Sequence, residues 1–295
     1  PPPPPPPPFF FLTLMPELPM LRSLVGSEMC IRDSTGGLDN TALGRAALYT
    51  NSTGSHNTAV GMDSLKLNQT AGDNTAVGAY ALQANTTGTH NVGVGASALT
   101  AVTTGGYNTA LGSQCLDGNT TGTENIAIGY QSMHAAMTGS SNTAVGNYAL
   151  GAVANGADNC ALGRNAGDAI TSGSNNVAIG SHALSAVTTA NQNVACGYHA
   201  LKENTASYNT AIGHDALTAN STGAYNVALG HEALKTKSTG TRNTACGWGA
   251  MYNATTGDRN TAVGNYALGD ATMTGDYNVG VGDNAIRECT SGAYN

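Results

Sequence analysis

Apolar and polar positions alternate along this chain in a pattern that keeps returning. A branched residue, an alanine and a second branched residue lead into a glycine. A leucine follows, then a polar Asn-Thr-Thr-Gly stretch, and the order begins again. Asn74 to His90, N-T-A-V-G-A-Y-A-L-Q-A-N-T-T-G-T-H, is the clearest copy. Its opening Asn recurs at 40, 57, 74, 91, 108, 125, 142, 159, 176, 193, 209, 226, 243, 260, 278 and 295. The steps are seventeen residues, except sixteen after Asn193 and eighteen after Asn260. Fifteen units in register identify a solenoid, in which each coil stacks only on its neighbours.

The pattern within a unit predicts the elements. Position 1 is Asn throughout; position 2 is Thr in eight units and Val in five, with Ile126 and Cys160 in the others. Position 3 is Ala except at Gly93 and Gly280, position 4 is Val, Leu, Ile or Cys, and position 5 is always Gly. Leu fills position 9 in eleven units. Side chains alternate faces along a strand, so positions 2 and 4 share one side and position 3 takes the other. The expectation is that the β-branched pair points into the coil and meets Leu from a second short strand. Gly at position 5 marks a corner that needs φ > 0 or close backbone approach, and Asn-Thr-Thr-Gly supplies the closing turn. The fold class read from this is all-β, a parallel β-roll or β-solenoid of about 15 coils. Its length is on the order of 70 Å at a rise of about 4.8 Å per coil.

Composition changes the picture in three places. Gly is 39 of 295 residues and charged residues are 10%, a bias that would suit disorder were the register not so strict. A net charge of −7 with eleven scattered Lys and Arg forms no basic stripe, which argues against nucleic acid and anionic membranes as partners. Cys196 and Cys246 share a column but lie three coils apart, roughly 14 Å, beyond the reach of a disulfide. Cys160, Cys196 and Cys246 stand where other units carry Val, Leu or Ile, and are expected to be small buried hydrophobes.

Residues 1–34 stand outside the repeat. Pro1 to Pro8 reads as polyproline, and the apolar run Phe9–Leu24 is interrupted by Pro16, Glu17, Pro19 and Arg22, so it is no membrane span. Ser23 to Ser34, S-L-V-G-S-E-M-C-I-R-D-S, resembles the translated library-adapter sequence that often ends reading frames assembled from environmental DNA. This segment is expected to be a disordered leader, largely adapter-derived. Residues 35–295 form the solenoid, and since Asn295 opens a new coil the repeat is expected to extend beyond the fragment.

The repeated columns carry the candidate sites. The opening Asn row (Asn57, Asn74, Asn91, Asn108, Asn125, Asn142) is expected to stack into a hydrogen-bonded amide ladder. On the orientation above, the position-3 alanines (Ala42, Ala59, Ala76, Ala110, Ala127, Ala144, Ala161, Ala178, Ala211, Ala228) form an outward apolar strip, with a second Ala-rich column at position 8. Such a strip marks an interface, most simply a homotrimer; the alternative is that Ala caps a thin monomeric roll.

The units N-I-A-I-G (Asn125 to Gly129) and N-V-A-I-G (Asn176 to Gly180) resemble the head repeat of YadA-like trimeric autotransporter adhesins, whose repeat reads Ser-Val-Ala-Ile-Gly. The resemblance covers Asn40 to Asn295. It implies a left-handed β-roll with both branched residues inside and the Ala at the trimer contact. The fuller form N-T-A-V-G-x-x-A-L-x-x-N-T-T-G is also similar to repeats in fibre-like virion proteins of environmental phages. This coil is longer than the usual adhesin repeat, and Thr often replaces the first Val. Neither a stalk, a membrane anchor nor a self-cleaving chaperone domain is recognisable.

No nucleophile–base–orienter set, P-loop or calcium-binding G-G-x-G-x-D turn is present, so the chain reads as non-catalytic and needs no cofactor. His182 and His199 at position 7, and His214 and His231 at position 6, fall on four successive coils beside Asp215 and Glu232. They are candidates for a zinc or nickel site, or simply an exposed polar edge. Tyr107, Tyr208, Tyr225, Tyr277 and Tyr294 at position 17, with Tyr80, Tyr148 and Tyr266 at position 7, can stack on sugars or pack over the corners. The turn threonines, including Thr87, Thr104 and Thr121, raise ice binding, which requires flat Thr rows on a strand face; the position-2 Thr is expected to point inward instead. The function implied is an extracellular adhesin or fibre head or shaft, on a bacterial surface or a virion. It would attach to a host-surface protein or glycan without contacting membrane. Phage tail fibre, ice-binding solenoid and passive spacer are the alternatives.

Overall fold

The computed structural model describes residues 36–236, 239–269, 272–287 and 291; the leader, Cys30, Cys289 and Tyr294 lie outside them. Fifteen three-residue strands, from β1 (Thr41–Leu43) to β15 (Val279–Val281), form one parallel sheet in strict chain order. Each strand occupies positions 2 to 4 of its unit and pairs Ala against Ala with the next, as in Ala59 with Ala76. The chain is thus an all-β solenoid, with about one coil per seventeen residues and no helix among the described residues. The irregular units are absorbed in the loops: Ala195 still faces Ala211 across the sixteen-residue step, and Ala262 faces Gly280 across the eighteen-residue one.

The interior is reversed from the expected orientation. Ala59, Ala76, Ala110, Ala127, Ala144, Ala161, Ala178, Ala211 and Ala228 are 0–1% exposed, and Ala42 packs against the same core from the end coil. Val77, Ile128, Ile179 and Ile212 at position 4 are instead 36–45% exposed. Parity explains the reversal. The position-1 Asn side chains are themselves buried, and a strand's period of two puts position 3 on the same side as position 1. The alanines therefore cannot form an outward trimer seam. Space enforces the choice as well: a Cβ placed on Gly93 would lie 3.4 Å from Leu82 Cδ1, so a methyl group fills the gap to the leucine column. The same parity turns Cys160 out to the surface and leaves Cys196 and Cys246 half-buried, contrary to their reading as core residues. Among the described cysteines the fully buried thiol is Cys115 at position 8, where burial pushes its pKa up to about 12.

Nor is there, among the described residues, a second strand carrying Leu. Positions 6 to 11 form a turn segment in which positions 7 and 9 both lie in the left-handed region, as at Tyr80 (φ 62°) and Leu82 (φ 53°). Non-glycine residues pay for that conformation. Here two gains offset it: the leucines are completely buried, and their amides bond to the next coil, as Leu82 N–H does to Ala98 O at 2.9 Å. At position 5 the requirement for glycine is strict. Gly95 has φ +136°, and a Cβ there would sit 2.3 Å from the Gly112 carbonyl oxygen of the next coil.

Two amide ladders run through the core. Asn108 donates its Nδ2 to Asn91 Oδ1 at 3.0 Å and to the Gly122 carbonyl at 2.9 Å, while its own Oδ1 receives the Asn125 backbone N–H at 3.0 Å. The same bonds recur from Asn57, Asn74 and Asn91 to Asn142. A second, discontinuous ladder occupies position 12. Asn68 Nδ2 donates to Asn51 Oδ1 at 2.9 Å and Asn85 Nδ2 to Asn68 Oδ1 at 3.0 Å, whereas Val102, Val153 and Ile170 fill that position elsewhere. The turn Asn of Asn-Thr-Thr-Gly is therefore an interior residue.

Candidate functional site

Reversal of the strand face creates the largest candidate surface. Positions 2 and 4 of fifteen strands lie outward in two adjacent columns, one of Thr and Val with Ile126 and Cys160, the other of Val, Leu and Ile with Cys196 and Cys246. In-register pairing of short strands makes this face regular. With a rise of about 4.8 Å per strand it forms an apolar strip about 70 Å long and about 10 Å wide. That exceeds the few hundred Å² that a soluble monomer ordinarily exposes in one patch.

The corners carry the other candidates. Position-17 tyrosines stack along the axis rather than standing open: Tyr208 lies on Tyr225 with centroids 4.9 Å apart and planes 5° apart, and Tyr107 lies on His90 at 4.7 Å and 8°. Arg242 covers Tyr225, and Arg259 covers Tyr277. Stacking between coils uses at least one face of each ring and turns the edges to solvent, so a sugar finds hydroxyls and edges here more readily than a flat platform.

The histidines behave similarly. His214 stacks on Tyr198 and on His231, each at 5.1 Å, and His231 meets Trp248, whose ring in turn meets Tyr266. His182 and His199 pack edge to face at 5.6 Å. Asp215 lies 3.4 Å from both His199 Nδ1 and His214 Nδ1, but Lys235 Nζ also reaches it at 3.3 Å and bonds to Glu232. Burial, with Lys202 nearby, holds the His199 pKa below the usual imidazole value despite Asp215. The four histidines are thus drawn into a ring stack and an ammonium–carboxylate network, not onto one point. Among the described residues no three His, Cys, Asp or Glu side chains form a group able to hold a metal ion.

Position 10 holds a feature that the repeat reading did not single out. Down this column run Thr100, Asp117, His134, Gly151, Asp168 and Ser185. Asp117 and Asp168 each keep one carboxylate oxygen buried with no hydrogen-bond partner, and burial raises the Asp117 pKa although nearby His134 opposes it. Between His134 and Asp168 the missing side chain of Gly151 leaves a cavity of about 330 Å³, bordered by Tyr148 and Asn165. The column is varied and also carries Gly269, so no single residue in the sequence marks this place.

Comparison of the chain with protein-family models, with curated proteins and with solved structures gives no match.

Proposed function

We propose that this solenoid is a non-catalytic segment of an extracellular adhesin or fibre, assembled from copies of itself along the outward strip of positions 2 and 4. The carrying observation is that strip: Thr and aliphatic side chains, with three cysteines, repeat down an entire face with no charged residue among them. A partner that covers such a face must itself be long, regular and apolar, and another copy of this chain meets all three conditions. Packing about a common threefold axis, as the adhesin-repeat resemblance implies, lets each strip contact both neighbours. This retains the homotrimer and replaces its seam: Thr, Val, Leu and Ile take the place given to alanine. The remaining columns then face outward for attachment to a host-surface protein or glycan, on a bacterium or a virion. Sedimentation of the chain should give a trimer mass that Ile128→Glu together with Ile179→Glu reduces to folded monomer. A wild-type chain that sediments only as folded monomer would refute the assembly.

One observation favours a second reading. Eight of the outward position-2 residues are Thr, on the strand face, where an ice-binding surface requires its Thr rows. Valines interrupt the row and aliphatic side chains fill the parallel column, so the face suits a protein partner better. Thermal hysteresis by the wild-type chain, abolished in Thr75→Leu with Thr109→Leu, would reverse that preference.

A further inference from the structure

We propose that the notch at Gly151 is a subsite for one neutral hexose or N-acetylhexosamine ring. This rests on the adhesive reading and gives it a ligand class.

The notch lies at Gly151, one of two glycines, with Gly269, that interrupt position 10 of a repeating column. Position 10 carries a side chain in the coils on both sides, His134 before and Asp168 after, and Gly151 opens a gap one coil wide. The backbone does not demand this glycine: Gly151 lies outside the left-handed region, and a Cβ there would meet the exposed His134 ring and the Tyr148 carbonyl oxygen at 3.3 Å. Its volume, about 330 Å³, lies at the lower end of small-molecule sites and suits a single ring.

The lining is chemically mixed. His134 Nδ1 lies 3.2 Å from the Gln131 carbonyl oxygen, which makes that nitrogen the donor and leaves Nε2 an acceptor in the neutral ring. Asn165 Nδ2 donates to Asp168 Oδ2 at 2.8 Å, which orients both groups, while Asp168 Oδ1 is buried and leaves Oδ2 as the carboxylate oxygen on offer to a ligand. Imidazole nitrogen, amide oxygen and carboxylate form a set rich in acceptors, matched to a ligand rich in hydroxyl donors. The Tyr148 ring and the Ala152 methyl supply apolar surface for the C–H face of a sugar. Tyr148 makes only an edge contact, at 89°, with Tyr130, unlike the stacked position-17 tyrosines. With no Lys or Arg in the lining and a carboxylate at one end, phosphate, sulfate and sialic acid are disfavoured.

Saturation-transfer NMR on the full chain with methyl glycosides of glucose, galactose, N-acetylglucosamine and N-acetylgalactosamine tests the site. At least one should bind, and Gly151→Gln should weaken it by tenfold or more; Gln83 already occupies position 10 in another coil, so this variant should fold. Asp168→Asn should weaken it less. The subsite is overturned if none of the four binds, or if Gly151→Gln binds as well as wild type. Sedimentation and attachment of the whole chain to cells are read separately. A trimer that attaches without binding any glycoside removes the subsite alone; a chain that binds a glycoside but does not attach removes the adhesive reading alone.

Discussion

The strand face and the position-7 and position-10 edge belong to the same coils but obey different rules. On the strand face most coils offer nearly the same chemistry, and neighbours superpose Thr, Val or Ile on one another and aliphatic on aliphatic. Along the edge, Lys66 gives way to Gln83, Thr100, Asp117, His134 and Gly151 within six coils. A uniform strip recognises something equally periodic, such as another rod. A varied edge instead offers discrete places where one ligand fits and the next coil does not. The interior that separates them has less freedom: each inward column admits alanine, a leucine-sized apolar side chain or a paired amide.

Breaking the interior should have the largest effect. Ala127→Glu places a carboxylate in a fully buried methyl site, and a cost of about 5 kcal/mol is expected, with local loss of the stack seen as a collapsed urea midpoint. Its outward neighbour, Ile128→Glu, should leave the monomer's circular dichroism unchanged and shift only its assembly, since surface changes usually cost within about 0.5 kcal/mol. Equal unfolding by both variants would contradict the orientation of the whole sheet. Gly95→Ala, with a Cβ driven to 2.3 Å from the next coil, should cost about 3 kcal/mol by the same assay. Asn108→Ala strands the Asn125 amide and the Gly122 carbonyl, and a loss of about 2 kcal/mol is expected.

The smallest effect contrasts two thiols. Exposed Cys160 should react with a disulfide reagent at once, and buried Cys115 only after unfolding. Because burial raises the Cys115 pKa from 9.0 to about 12, the fold favours the neutral thiol. That contribution is complete below the unfolded pKa and is lost as pH rises from there toward the folded value. Cys115→Ala should accordingly lose less stability than wild type between about pH 8 and about pH 10.5, measured by urea unfolding.

What could be read from the residues and what could not differ by kind. Recurrence of Asn and Gly was enough for the solenoid, the coil length, the strand at positions 2 to 4 and the glycine corner, because stacking identical units demands identical backbone. The amide row was legible for the same reason. The position-9 leucines were misjudged as strand residues, since nothing in a leucine announces a left-handed backbone; only burial and the hydrogen bonds of adjacent coils make that conformation tolerable. The Gly151 notch was also illegible, because a missing side chain becomes a cavity only when the coils above and below flank it.

Sequence alone therefore determined that the chain stacks, at what period and in what register. Which face of each strand is inside was decided by tertiary structure. Alternation is symmetric, and Thr-Ala-Val reads equally well in either sense until something breaks the tie. Here the tie is broken by the asparagine side chains, which must be inside to reach one another and the turn carbonyls; they bring alanine in with them and leave the branched residues on the surface.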